Sequence, residues 1–436
     1  MKIFPAEMHY LIDKMTGLAG EAFGVIKPKD TSELVEALKY AKEHQLNIIV
    51  VGANTGLSGG TLPRKRDLII DLSGWKTILD FDEATRTLSV EAGVTLNQIY
   101  DFVEQKGYFY PPDPGAKDAT IGGNIATNAG GMRAVKYGVT RDYVKALEVV
   151  LIDGTIVTLG SLNQKDSSNY DLKDLLIGSE GTLGIITKAW LKVVEKPAES
   201  SSLIASFSEI TTAINSVSRI LNAGVLPASI EFFENNGLKF AEEYNQRTLS
   251  IPDDAAYLLL TLDGDKEDIL QAAGAVEEVL SNATSLSRLS SAEATAAWRL
   301  RDDIAAAVQA KTIAEPVDIV VPISQISQTL AFLKQKASEL KLEIVTFGHA
   351  GDGNIHALIL RGALSDVHWE QLIVQYLDEM YQFINQIGGL ASAEHGIGLM
   401  KRPYYLKYLD DNLHQLYQRI KVAFDPEGRL NPGKKI

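Results

Sequence analysis

The stretch QKGYFYPPDPGAKDATIGGNIATNAGGMRAVKYG, residues 105–138, decides how the rest of the chain is read. Pro111, Pro112 and Pro114 withhold backbone donors, whereas Gly115, Gly122, Gly123, Gly130 and Gly131 let the main chain turn and approach another molecule closely. Thr120, Asn124, Thr127 and Asn128 stand among those glycines, small polar side chains that hydrogen-bond without filling the space. Neither a helix nor an ordinary strand is expected here. Such a ribbon suits a large, flat, polar ligand with a phosphate tail.

Two further glycine-rich loops flank it. LNIIVVG, residues 46–52, predicts a strand running into ANTGLSGGT, residues 53–61, where Gly52, Gly56, Gly59 and Gly60 are interleaved with Asn54, Thr55, Leu57, Ser58 and Thr61. Successive backbone N–H groups in such a turn can cradle a pyrophosphate. The turn lacks the lysine of a nucleotide-hydrolysing P-loop and the spacing of a dinucleotide-binding crossover, so neither of those readings applies. On the other side, LLIGSEGTLGIIT, residues 175–187, brings Gly178, Gly181 and Gly184. Three such loops in series favour a ligand laid out between two subdomains.

Between the loops, DLIIDLSGW and TLSVEAG read as strands, LNQIYDFVEQKG as a helix, and YVKALEVVLIDGTIVTLG as a hairpin turning at Asp153-Gly154. Ahead of them, residues 1–24 read as a helical lead-in, and residues 30–45 as an amphipathic helix with a capping box near Thr31 to Glu33. EKPAESSS, residues 195–202, marks a boundary. Beyond it, helices and strands alternate in the manner of a sheet covered by helices, and a last helix ends at Pro426.

With 436 residues, 45% of them hydrophobic, the chain can bury a large core in two or three domains. A net charge of -14 argues against nucleic acid as a partner. The absence of cysteine excludes disulfides, thiolate metal sites and a cysteine nucleophile. No apolar run suggests a membrane span and no secretory signal is read, so the cytoplasm is expected, with a partner able to hold the protein at the inner face of a membrane.

A second constellation lies near the C-terminus. In FGHAGDGNIHALIL, residues 347–360, a two-residue hairpin tip at Asp352-Gly353 would pair Gly351 with Asn354, Ala350 with Ile355 and His349 with His356. Directly opposed residues stand roughly 4.5–5.5 Å apart at Cβ, close enough for two imidazoles to clasp one cation. GGLASAEHGIGLMKR places Glu394 and His395 together, and Glu394 would complete a His-His-carboxylate site for zinc or another divalent transition metal. His395 is then free to take a proton from a hydroxyl held by the metal, and Asn354 to hydrogen-bond a substrate oxygen. AAWRLRDDIAAAV adds Arg299 and Arg301; two apart on a helix, only one of them can face the site and hold a carboxylate.

VVGANTGLSGG, PPDPGAKDATIGGNIATNAGG, LLIGSEGTLGIIT, FGHAGDGNIH, SAEHGIG and DPEGRLNPGK together resemble, in order and over nearly the whole chain, the vanillyl-alcohol-oxidase flavoprotein superfamily. The similar branch contains the glycolate oxidase flavin subunit, D-lactate dehydrogenase and D-2-hydroxyglutarate dehydrogenase. The resemblance implies an α+β fold: a PCMH-type FAD domain of two subdomains over residues 1–196, a ferredoxin-like substrate cap carrying the metal site over 197–420, and a tail, 421–436, returning to the FAD domain. It places Gly52, Asn54, Thr55, Gly56, Leu57, Gly59 and Gly60 at the FAD pyrophosphate. Pro112, Asp113, Thr120, Gly122, Gly123, Asn128, Gly130 and Gly131 would run along the ribityl and isoalloxazine. Glu180, Gly181 and Gly184 would also touch the cofactor, with Ile186 by the adenine and Asn431 returning to the flavin.

The same resemblance makes His349, His356 and Glu394 metal ligands, His395 the base, Asn354 a substrate contact and Arg301 the carboxylate clamp. Members specific for hydroxyglutarate carry a lysine two residues before the aspartate at Asp318, where this chain has Pro316, which disfavours a dicarboxylic substrate. Thr61 stands where several relatives attach the flavin through a histidine, so FAD is expected to be non-covalent. The implied activity is oxidation of a small D-2-hydroxyacid, like lactate or glycolate, to the 2-oxoacid, with the hydride passing to flavin N5. Electrons would leave to a quinone, an electron-transferring flavoprotein or an iron–sulfur partner. The rivals are a non-catalytic flavin or electron-transfer subunit of a larger oxidase, and a reductase of the same fold using a nicotinamide donor.

Overall fold

All five residues of Asp67–Asp71 are buried, and this strand lies in the middle of a three-stranded parallel sheet between Gly24–Ile26 and Asn47–Val51. The computed structural model describes residues 2–13 and 17–436 of the chain. The two outer strands, consecutive in the chain, run parallel on either side of Asp67–Asp71 and need a crossover. Helix Thr31–Glu43 supplies it, burying Leu34, Ala37, Leu38 and Ala41 at helical spacing. Its cap lies one residue before the expected Thr31: the Asp30 carboxylate accepts the Glu33 N–H at 2.9 Å. The expected helix over residues 1–24 falls partly outside the described residues. Among those described, only Met8–Leu11 is helical, and Phe4 instead pairs with Val25.

A five-stranded antiparallel sheet follows, in the order Ile78–Asp82, Thr87–Glu91, Ile185–Lys192, Val144–Val150, Ile156–Gly160. The Pro/Gly ribbon differs from its expected irregularity, because Ile121–Thr127 is a helix despite Gly122 and Gly123. Burial of Ile121 and Ile125 drives it, and the Ile121 and Gly122 N–H groups are taken up by Val94 and Ala92 carbonyls at 2.8 and 2.9 Å. Asn128, at φ +54°, closes the helix in the left-handed region.

The chain divides into two compact units, the first comprising Met1–Gly130, Gly138–Lys196 and Glu394–Ile436, the second Gly131–Tyr137 and Pro197–Ala393. The return to the first unit therefore begins at Glu394, ahead of the expected residue 421. Backbone demand explains it: the Ser58 carbonyl accepts the Leu399 and Met400 N–H groups at 2.9 and 3.1 Å. Further on, Leu430 bridges in parallel to Ile48, extending the three-stranded sheet with the tail.

The second unit is built on a seven-stranded antiparallel sheet, in the order Ser285–Arg288, Glu199–Phe207, Ala256–Gly264, Ser229–Glu234, Glu343–His349, Asn354–Leu360, Ala314–Val320. The polar run that marks the boundary opens a nine-residue strand, Glu199–Phe207. Its serines are tolerated because cross-strand hydroxyls pair, Ser202 with Thr261 at 3.0 Å. Helices Asn235–Asn245 and Asp366–Gln386, absent from the sequence reading, join those that were expected.

Lys434 offers a stability test of how the tail is held. Its ammonium donates to the Leu62 carbonyl at 2.8 Å, and burial pushes its pKa down from 10.5 to about 8. Between those two values the unfolded chain binds the proton that the folded one has lost, so stability rises with pH across that window. The gain is about 3 kcal/mol at roughly 1.4 kcal/mol per pKa unit. Urea melts near either end of the window should show this rise in the wild type and a flatter response in Lys434→Met. Equal responses would refute it.

Candidate active site

In the first unit, the two outer glycine loops and the helix at 121–127 surround one cleft. Gly52, Asn54, Thr55, Gly56, Gly60, Thr120, Gly122, Gly123, Glu180, Gly181, Gly184, Ile186 and Asn431 all line it, as does His395. Gly52 allows no side chain: a Cβ there would lie 2.0 Å from Thr120 Oγ1. Two lining groups are buried polar atoms with no hydrogen-bond partner, Asn124 Nδ2 and Asn431 Oδ1. One donates and the other accepts. Buried and unmet, each costs about 1–3 kcal/mol unless a ligand supplies the complementary group.

Other expected cofactor residues serve the walls. Pro112 accepts from the Tyr100 hydroxyl at 2.6 Å, and Asp113 pairs with Lys117. The Gly59 N–H donates to Asp13 at 3.1 Å, and Asn128 accepts the Arg141 N–H at 3.0 Å. Gly130 runs against Glu394, whereas Leu57 is not part of the lining and Gly131 belongs to the second unit. The Glu180 carboxylate is committed to the returning chain, accepting the Ile397 and Gly398 N–H groups at 2.9 and 2.7 Å. Asn124 and Thr127, named among the polar side chains of the ribbon, line the cleft, and Ala126, which sequence reading did not name, joins them because the segment is a helix.

In the second unit the seven-stranded sheet turns polar at one end of an otherwise apolar face. One row across it runs Glu231, His349, Asn354 and Val320; the next runs Phe233, Phe347, His356 and Asp318. The hairpin register therefore differs from expectation, with His349 opposite Asn354 and His356 opposite Phe347. The turn spans four residues, because the Ala350 N–H is taken by Ile230 at 2.9 Å on the neighbouring strand and cannot pair with Ile355. Asp352 accepts the Asn354 N–H at 3.0 Å, and Gly353 sits at φ +88°.

The two histidines still meet, as diagonal neighbours on one face. Their Nε2 atoms are 3.4 Å apart. Two nitrogens bound tetrahedrally to one zinc, each at 2.0–2.1 Å, would be separated by about 3.3 Å, so the pair fits a shared cation. His349 Nδ1 lies 2.7 Å from Glu231, and His356 Nδ1 3.9 Å from Asp318. Asn354 spends both amide hydrogens, on Asp318 and on the Ile319 carbonyl, each at 3.0 Å, leaving its Oδ1 to meet a ligand as an acceptor. Asp318 also holds the Ser392 hydroxyl at 2.9 Å and the Ala393 N–H at 3.2 Å.

Arg301 reaches this end of the sheet from helix Ser291–Asp302, and Arg299 points to solvent, as the two-residue spacing requires. The buried Arg301 guanidinium forms an ion pair with Glu231 and packs over Phe347, while its Nε–H has no hydrogen-bond partner. Glu231 and Asp318 escaped the sequence reading as site residues. The available signal was a carboxylate held between two apolar neighbours in each strand, Glu231 between Ile230 and Phe232 in SIEFFE and Asp318 between Val317 and Ile319 in AEPVDIV.

A family model described as FAD linked oxidases, C-terminal domain, matches residues 196–435, and one described as FAD binding domain matches 23–160. The chain belongs to the FAD-linked oxidase family. Among its relatives, a D-lactate dehydrogenase of Anaerostipes hadrus is 35% identical over 94% of this chain and 88% of the relative. The glycolate oxidase subunit GlcD of Bacillus subtilis is 37% identical, over 94% and 88%. A D-lactate dehydrogenase of Archaeoglobus fulgidus is 34% identical, over 100% and 97%. Among solved structures, p-cresol methylhydroxylase superposes with a TM-score of 0.80 at 17% identity, covering 98% of this chain and 91% of that one, which shows the fold. This FAD-linked oxidoreductase thus has the architecture of the vanillyl-alcohol-oxidase flavoproteins. Its glycine cleft, with an unmet donor and an unmet acceptor, fits the polar edge of a flavin. Among the described residues, no helix is long and apolar enough to cross a membrane.

Proposed function

We propose that this oxidoreductase oxidises a small D-2-hydroxyacid, of the lactate or glycolate kind, to the 2-oxoacid. The observation that carries the reading is the pair of imidazole Nε2 atoms 3.4 Å apart beside the buried Arg301, whose Nε–H lacks an acceptor. A cation and a guanidinium side by side suit an α-hydroxy carboxylate, which offers two oxygens to the first and a carboxylate to the second. The names of the relatives agree with that substrate class. Pro316, which offers no charge near Asp318, favours a monocarboxylic side chain.

Non-covalently bound FAD would supply the two-electron acceptor for the Cα hydride. A divalent cation, zinc being the first expectation, would be held by His349, His356 and Glu394 and supply a Lewis acid. Glu394 follows directly on Ala393, whose N–H Asp318 holds. Arg301 fixes the carboxylate, and His395, on the flavin cleft, takes the hydroxyl proton as the C–H bond breaks.

A panel of D- and L-2-hydroxyacids added anaerobically to the yellow protein, before and after chelation, tests this. Fast bleaching by D-lactate or D-glycerate that chelation abolishes is expected. Bleaching by NADPH and by no hydroxyacid would sink it. A second reading, a flavin subunit that only passes electrons, draws on the relative named as a subunit and predicts no bleaching by any hydroxyacid.

A further inference from the structure

We infer that Glu231 is a positioning residue that serves the cation and the substrate carboxylate at once, an inference that rests on the metal-assisted reading above. The carboxylate is fully buried, and its strand position lies directly opposite His349. One oxygen stands 2.7 Å from His349 Nδ1, and the other forms the ion pair with Arg301. Arg301 also approaches His349 Nδ1, at 3.3 Å, so the proton on that nitrogen could be disputed. The shorter contact decides it. A carboxylate oxygen and a bare ring nitrogen at 2.7 Å would set lone pair against lone pair, so Nδ1 carries the proton and donates it to Glu231.

Two consequences follow from that one hydrogen. With Nδ1 protonated, His349 Nε2 keeps its lone pair, and it is this atom that faces His356 Nε2. Through Nε2, the ring can ligate a cation in that tautomer and not in the other. Meanwhile the second oxygen of Glu231 neutralises Arg301 and draws one guanidinium nitrogen toward the sheet, with Asp302 3.6 Å from another, so the orientation in which the guanidinium meets a substrate carboxylate depends on Glu231. Cation affinity and substrate affinity are therefore set by the same side chain, and a change at Glu231 should move both.

The test is made on the full-length flavoprotein, stripped of metal and titrated with Zn2+ against a chromophoric chelator. Wild type is expected to show one site that His356→Ala abolishes. Glu231→Gln keeps the shape but can turn its amide N–H toward Nδ1, and is expected to weaken Zn2+ binding by roughly 10- to 100-fold. It should also raise KM for the hydroxyacid by about tenfold, the worth of one charged hydrogen bond. A purely structural role would lower the melting temperature and leave both quantities alone.

Should Glu231→Gln fail to fold, nitrogen-15 spectra of histidine-labelled metal-free wild type, assigned with His349→Gln, read the tautomer directly. Protonated Nδ1 supports the inference and protonated Nε2 overturns it. A wild-type Zn2+ site that Glu231→Gln retains at full affinity overturns this inference alone. A wild type with no site overturns the metal reading as well.

Discussion

His395→Gln should lower turnover of the hydroxyacid by about two to four orders of magnitude while the protein stays yellow. His395 lines the glycine cleft, and the proposed reaction needs proton transfer and hydride transfer to be close in space. Its backbone carbonyl accepts the Ser58 hydroxyl at 3.0 Å, which fixes the main chain at His395 against the second glycine loop. That bond survives the substitution. Many other groups line the cleft, so the flavin should remain bound with its absorbance little changed. Glutamine can hydrogen-bond to a hydroxyl but cannot carry its proton away at neutral pH. The loss should therefore appear in kcat more than in KM, and stopped-flow flavin reduction would locate it in the reductive half-reaction. Wild-type reduction rates in this variant would remove His395 from the chemistry.

Arg301→Met carries the second large effect, and it should be felt twice. For the substrate, loss of two charged hydrogen bonds at roughly 1.5–3 kcal/mol each lowers kcat/KM by at least about a hundredfold. For the fold, methionine fills much of the same space over Phe347 but leaves Glu231 as a buried carboxylate without its counter-ion. Breaking such a pair costs about 3–5 kcal/mol. Adding Glu231→Gln to Arg301→Met should recover most of the stability and none of the activity. Denaturant melts and steady-state kinetics on the two single variants and the double variant separate these outcomes. A stable single variant with an ordinary KM would show that the guanidinium does neither job.

Much of the first unit could be read from residues alone, because glycine carries its own physical signature. A Cβ at Gly52 would lie 2.0 Å from Thr120 Oγ1, whereas Gly56 and Gly181 have open space beside them, so a glycine-rich loop lets a ligand approach the backbone closely. Local rules failed where neighbours outbid them. Gly122 and Gly123 lie in a helix because Ile121 and Ile125 are driven into the core. Glu199 to Ser202 form strand because Ala256–Gly264 satisfies their backbone and hydroxyls.

At the polar end of the seven-stranded sheet, the fold decided the geometry of side chains that the sequence had only grouped. The motif HAGDGNIH announced two histidines across a turn. Its register, however, was set by Ile230 on another strand, which claims the Ala350 N–H and lengthens the turn to four residues. The imidazoles meet all the same, since a diagonal pair of long side chains spans what a direct pair would have spanned. Glu231 is more than a hundred residues from His349 in the chain, and only sheet pairing brings them together. Composition, glycine spacing and the histidine motif belong to the sequence because they depend on each residue and its near neighbours. Which carboxylate stands behind which histidine depends on long-range strand order, and tertiary structure alone supplies that.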